Sequence, residues 1–143
     1  MSANLQVARL LAEGISSKLA RRGAKPYSHD TEPAPKQRMR LGYLSTDFRD
    51  HAISRLIAGL FAHHDRAGFE VIAYSHGDND GSSFRQRIVD TVDRFVDLSD
   101  LSDEDSAQHF HEDDVDILID LSGQIRSNRL DTMALRPAPI QVA

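Results

Sequence analysis

The chain has 143 residues, 40% hydrophobic and 27% charged, the length and balance of one soluble globular domain with a real core and no room for a second large one. A formal net charge of -5 and a sequence pI near 5.7 argue against a phosphate-backbone binder, so nucleic acid is not an expected partner. There is no cysteine, hence no disulfide framework and no thiolate nucleophile, and no apolar run approaches the roughly 20 residues of a membrane span; the expected setting is the cytoplasm, with neither membrane nor export.

Leu5, Ala8, Leu11, Ala12, Ile15 and Leu19 recur at helical spacing, with Lys18, Arg21 and Arg22 at the end where cations suit the helix dipole. Residues 1–22 therefore read as an amphipathic helix, stopped by Gly23. Residues 23–38, with Pro26, Pro33 and Pro35, read as an extended linker that leaves the helix an appendage rather than part of the core. The globular region is expected over residues 39–143.

Met39 to Ser45 has strand character, and Ile53, Leu56, Ile57, Leu60 and Phe61 then share one face of a helix expected to pack on the core. Phe69 to Tyr74 repeats the strand, Gly77 to Gly81 the loop, and Phe84, Ile88 and Val92 mark a second core-facing helix. Phe95 to Leu98 makes a short third strand. Ser102-Asp103-Glu104-Asp105 resembles a capping box opening a helix through His111. Val115 to Leu121 is the richest β-branched run and the best candidate for the central strand; a short helix near Ser127 to Ala134 and a last strand at Pro139 to Val142 follow. This alternation predicts an α/β fold, a Rossmann-like parallel sheet with helices on both faces.

Ligands of such sheets sit beyond the carboxyl ends of the strands, so the loops at Ser45 to His51, Ser75 to Ser82 and Asp120 to Asn128 carry the interest. The first lacks the G-x-G-x-x-G of a dinucleotide site, which disfavours a self-contained nucleotide-binding domain. It ends instead in His51 at a helix start, where the dipole favours a neutral, base-competent imidazole. After the β-branched run, Asp120 can accept backbone N–H groups in a turn, and Gly123 can permit a backbone geometry or a ligand approach that a side chain blocks. Asp78-Asn79-Asp80-Gly81 falls short of a calcium loop and reads as a solvated turn, as does Glu112-Asp113-Asp114. Neither His63-His64 nor His109 with His111 has the i, i+4 spacing of a helical metal site, so no metal is expected.

Two stretches are more specific. Leu41-Gly42-Tyr43-Leu44-Ser45-Thr46-Asp47-Phe48 with His51, and Ala134-Leu135-Arg136-Pro137-Ala138-Pro139-Ile140-Gln141, resemble the G-Y-[VL]-S-x-D-F-x-x-H and A-L-R-P-A-P-I-Q segments of the SPINDLY and O-GlcNAc transferase family. Phe69-Glu70-Val71 and the spacing of Asp80-Gly81 to Phe84-Arg85 match as well, so the resemblance covers about residues 39 to 143.

The resemblance implies the first lobe of a two-lobed GT-B fold in an inverting, metal-independent glycosyltransferase. Such enzymes typically move N-acetylglucosamine from UDP-GlcNAc to Ser or Thr of proteins, with relatives using GDP-fucose or UDP-glucose. It implies a protein or peptide acceptor, no cofactor besides the sugar donor, and a donor-binding lobe beyond Ala143, so that these residues alone are expected to be inactive. It also implies tetratricopeptide repeats upstream, of which the first helix is a terminal piece whose apolar face packs on the lobe or pairs between chains. His51 matches the family histidine near the acceptor hydroxyl, Asp47 a residue orienting it, and Asp120 with Gly123 a region of acceptor or sugar contacts. The match departs at Gly123-Gln124-Ile125, where members carry G-H-T or G-Y-T. Gln124 can hydrogen-bond but cannot act as acid or base, which leaves open a non-catalytic interaction module on the same scaffold.

Overall fold

A computed structural model describes residues 3–30, 34–123 and 129–143. Helix α1 (Ala3–Arg21) is followed by β1 (Met39–Ser45), α2 (Ala52–His63), β2 (Phe69–Ser75), α3 (Ser83–Thr91), β3 (Arg94–Asp97), α4 (Asp103–Glu112), β4 (Ile117–Asp120), α5 (Leu130–Ala134) and β5 (Ile140–Val142). All five strands are parallel, in the order β3-β2-β1-β4-β5. The Rossmann-like α/β sheet expected from the alternation is thus present. β1 holds the centre, flanked by β2 and β4; the β-branched run, expected there, lies one strand out. Gly42 suits the central strand, because a Cβ there would sit 3.0–3.2 Å from Tyr74, Val115 and Leu118.

The period of two in β1 divides the core. Leu44 joins Ile72, Tyr74 and Leu118 under Phe110 of α4 and Met133 of α5. Leu41 and Tyr43 point the other way, with Val71 and Ala73, under Phe61 of α2 and Ile88 of α3. Helices therefore cover both faces, as parallel sheets require. Ser102 caps α4, accepting from the Asp105 N–H at 3.0 Å while its hydroxyl donates to the Asp105 carboxylate at 2.8 Å.

Two helix faces differ from their hydropathic spacing. In α2, Leu56 is 79% and Leu60 44% exposed, whereas Ser54 and Phe61 are buried. The helix is turned by about one residue because the Ser54 hydroxyl is needed inside, where it donates to the Asp47 carbonyl and accepts from the Arg49 N–H. In α3, Arg85 is buried with Ile88, while Phe84 is half-buried beneath the guanidinium groups of Arg55 and Arg87.

The N-terminal helix is more than an appendage. Leu19 is buried with Ala107 and Leu135, and Ile15 and Tyr27 pack against them. Lys18 pairs with Asp131, and the Tyr27 N–H donates to the Leu135 carbonyl at 2.8 Å, so the segment after α1 is tied to the lobe. In the amino half of α1, Val7, Leu10 and Leu11 present apolar side chains outward. Glu112-Asp113-Asp114 is likewise more than a solvated loop: Asp113 receives Arg94 at 2.9 Å and the Tyr74 hydroxyl at 2.6 Å. Among the described residues, no helix is long and apolar enough to cross a membrane.

Candidate functional site at the switch point

The chain leaves β1 towards β2 on one side and returns to β4 on the other, so the strand order reverses beside β1, where open α/β sheets form a crevice at their carboxyl edge. Three strand ends are laced together there. The Ser45 carbonyl accepts from the His76 N–H at 3.1 Å, the Leu44 carbonyl from the Leu121 N–H at 2.9 Å, and Ser122 Oγ from the Thr46 N–H at 3.1 Å. Gly77 packs flat on this loop; a Cβ there would lie 1.9 Å from the Thr46 carbonyl oxygen.

The loop between β1 and α2 is anchored by Phe48, fully buried against Phe61 and Phe95. Its main chain is held by side chains from elsewhere: Ser54 at Asp47 and Arg49, Arg85 Nη1 on the Phe48 carbonyl at 3.2 Å, and Asp80 Oδ2 on the Asp50 N–H at 2.8 Å. So fixed, the loop delivers His51 to the N-cap of α2 in extended conformation, with the ring partly exposed.

Nδ1 of His51 accepts the Ile53 N–H at 3.3 Å and lies 3.7 Å from Asp47 Oδ2. An imidazole caps a helix in this way only while Nδ1 carries no proton, which leaves the ring proton on Nε2. If the Nδ1 proton is instead turned to Asp47, Nε2 becomes the acceptor. The nearly buried Asp47 carboxylate also takes Arg49 at 3.1 Å through Oδ1, so it sits between a guanidinium and the imidazole. Asp47 and His51, expected together, are together.

Asp120 ends β4 and is buried; its Oδ1 accepts the Ser122 N–H at 2.8 Å, and the Gly123 N–H also points to the carboxylate. Burial pushes its carboxyl up, opposed by these two N–H groups. Its Oδ2 has no hydrogen-bond partner among the described residues. Gly123 has φ +55°, the left-handed backbone that favours glycine. Gln124 lies outside the described residues.

Sequence reasoning passed over His76, directly after β2. Its Nε2 is buried without a partner among the described residues, and burial together with Arg129 pushes the imidazole down to about 4, against the pull of Asp47 and Asp103. It is neutral at physiological pH. A histidine immediately past a strand's carboxyl end was the available signal. Arg85 was noted only for its spacing, and Asp80 for its spacing and as part of a solvated turn, since the groups they hold on the loop before His51 lie 37 and 30 residues away in sequence. Two further histidines have structural partners outside the crevice: His64 meets the Tyr43 hydroxyl at 2.8 Å, and His111 stacks on Tyr27 at 4.3 Å. A cavity of about 510 Å³ lies at the other end of the sheet, lined by His29, Lys36 and Asp116 among others, away from this crevice.

Comparison with known proteins bears on this geometry. Residues 6–143 match the family described as Glycosyl transferase family 41. The probable UDP-N-acetylglucosamine–peptide N-acetylglucosaminyltransferase SEC of Arabidopsis thaliana is 35% identical over 144 residues, covering 97% of this chain and 15% of that protein. The UDP-N-acetylglucosamine–peptide N-acetylglucosaminyltransferase of Caenorhabditis elegans is 40% identical over 107 residues, 74% of this chain and 9% of that one. A solved structure of a mutant Thermobaculum terrenum O-GlcNAc transferase superposes with a TM-score of 0.74 at 32% identity, over 87% of this chain and 24% of the other. The chain thus spans about a seventh or less of the length of these two curated relatives.

Proposed function

Because the chain belongs to glycosyl transferase family 41, we propose that it supplies the acceptor-side lobe of a GT-B protein glycosyltransferase, which moves N-acetylglucosamine from UDP-N-acetylglucosamine to a Ser or Thr hydroxyl. The carrying observation is His51, held half-exposed at a helix N-terminus beside the Asp47 carboxylate, at the carboxyl edge of the central strand. With its Nδ1 proton on Asp47, the ring takes the acceptor's hydroxyl proton on Nε2 as that oxygen attacks the anomeric carbon. The bond from that carbon to the diphosphate oxygen breaks, UDP leaves, and the configuration inverts. Asp47 orients the ring and stabilises the imidazolium; Asp120 and Gly123 shape the neighbouring turn on the acceptor or sugar side. No metal is needed in this reading. A cytoplasmic setting belongs to it, in keeping with a cysteine-free chain.

Transfer to a Ser/Thr peptide, measured in the protein carrying its donor-binding lobe, tests the assignment. His51→Ala is expected to lower kcat by roughly 10²–10⁴-fold with KM little changed; unaltered kcat removes His51 from the chemistry. In the 143-residue chain, UDP-N-acetylglucosamine is expected to perturb only amides of residues 45–51 and 120–123, without saturation below millimolar concentration. Tight saturable binding overturns the acceptor-side reading. Self-association through Val7, Leu10 and Leu11 is part of the proposal, and sedimentation that stays monomeric at all concentrations removes it.

A further inference from the structure

Two of the anchors on the loop before His51 come from one short stretch, the start of α3 and the turn before it. The Asp80 carboxylate divides its oxygens between two backbone N–H groups, Asp50 at 2.8 Å through Oδ2 and Ser82 at 2.9 Å through Oδ1. Ser82 is the N-cap of α3, and Asp50 immediately precedes the N-cap of α2, so one side chain ties the approaches to both helices. These N–H groups hold the carboxyl down at about 2, and the tie stays ionised through neutral pH.

Arg85, one turn further on, is buried and spends its fork on three separate elements. Its guanidinium donates to the Phe48 carbonyl at 3.2 Å, to Ser75 Oγ at the end of β2 at 2.9 Å, and to Asp97 at the end of β3 at 3.0 Å. The ring of Phe95 lies under it at 4.8 Å. The planar geometry matters here, because an ammonium cannot present donors in those directions while stacked on a ring. Phe48 and Asp50 flank Arg49 within the stretch from Asp47 to His51, so the two residues fix the path that decides where the His51 ring stands relative to Asp47.

We propose that Asp80 and Arg85 are positioning residues for His51, a clamp that sets the balance between its two imidazole arrangements, Nδ1 accepting from Ile53 or Nδ1 donating to Asp47. The separations at stake are 3.3 Å and 3.7 Å, so a sub-ångström displacement of Asp50 shifts the preference. Only the second arrangement leaves Nε2 free to take a proton. The proposal rests on the reading of His51 as the base for its catalytic meaning, while the clamp itself is measurable without turnover.

Nitrogen-15 spectra of the imidazole in the 143-residue chain provide the test. Asp80→Ala is expected to change the His51 tautomer ratio several-fold and to shift the amides of residues 50–53, leaving those of α4 and β4 in place. Arg85→Lys, which keeps the charge and loses the fork, is expected to move the ratio as well, and Asp78→Ala in the same turn is expected to leave it alone. A ratio unchanged in Asp80→Ala, or changed equally by Asp78→Ala, overturns the clamp. If Arg85→Lys does not fold, the surface substitution at Asp80 decides alone. Loss of transfer in His51→Ala is a separate observation, so failure of the base assignment and failure of the clamp are told apart.

Discussion

The two ends of the sheet are built on opposite terms. At the amino end, charges meet charges: Lys36 on Asp114 and Asp116, Arg40 on Glu70, Arg94 on Asp113, and Arg38 and Arg66 on Asp93. At the carboxyl end, side chains mostly serve main chain, with Ser54, Asp80, Arg85 and Ser122 each holding a backbone group of residues 46–50. Of the four buried side-chain atoms without partners among the described residues, His76 Nε2 and Asp120 Oδ2 lie at this end. Burying a polar atom unpaired is costly. An end whose charged side chains are spent on one another offers a ligand few unpaired groups, even where a cavity lies beside them, whereas an end that fixes its backbone and leaves polar atoms unspent is suited to chemistry.

The sharpest way to break the comparison is at the packing of the two carboxyl-end loops. Gly77→Ala places a methyl carbon against the Thr46 carbonyl oxygen, so one loop must move. A loss of about 3 kcal/mol in urea unfolding is expected, accompanied by displaced amides from Ser45 to His51. A neutral substitution would mean that the loops are not in contact.

Next in size is the pH dependence of the same end. His76 is held neutral down to about 4 in the fold, while in the unfolded chain it takes a proton near 6.5. Between those values the unfolded state binds more protons, so stability falls as pH drops through the window. His76 as a residue is only half-buried, so the loss is expected to be roughly 2 kcal/mol, less than the full linkage value. His76→Gln should flatten the unfolding free energy between pH 6.5 and 4; an unchanged slope would assign the effect to another group.

The order of elements was legible because parallel β-α units write themselves as short apolar runs alternating with helical spacing, and each expected strand and helix is present. What hydropathy could not reveal is which helical residue turns inward to hold a loop. Ser54 and Arg85 displaced Leu56 and Phe84 from the buried faces because their polar atoms have fixed partners on the loop from Asp47 to Arg49. Strand order was equally silent, since the β-branched richness of Val115 to Leu121 reports burial on both faces and not centrality. In the site, His51 and Asp47 were readable as neighbours on one short loop, whereas the Asp80 partner lies 30 residues from it in sequence.

The smallest effect is expected at the amino end, and it sharpens the contrast. Asp93 closes a pair with Val71, accepting its N–H at 2.7 Å while the Asp93 N–H reaches the Val71 carbonyl at 2.9 Å, and the carboxylate also receives Arg38 and Arg66. Asp93→Ala strips an acceptor from the Val71 N–H and leaves two guanidinium groups without it. Arg66 keeps its bonds to the Phe61 and Thr91 carbonyls at 2.7 and 2.6 Å, so the region does not come apart. A loss of about 1–2 kcal/mol is expected, partly recovered in Asp93→Asn, whose amide oxygen can still take the Val71 N–H. Because none of these hydrogen bonds and ion pairs reaches residues 46–51, the His51 ring nitrogens should not shift in either variant. A shift there would show that the two ends are coupled through β1 and β2, and the division of labour between them would have to be given up.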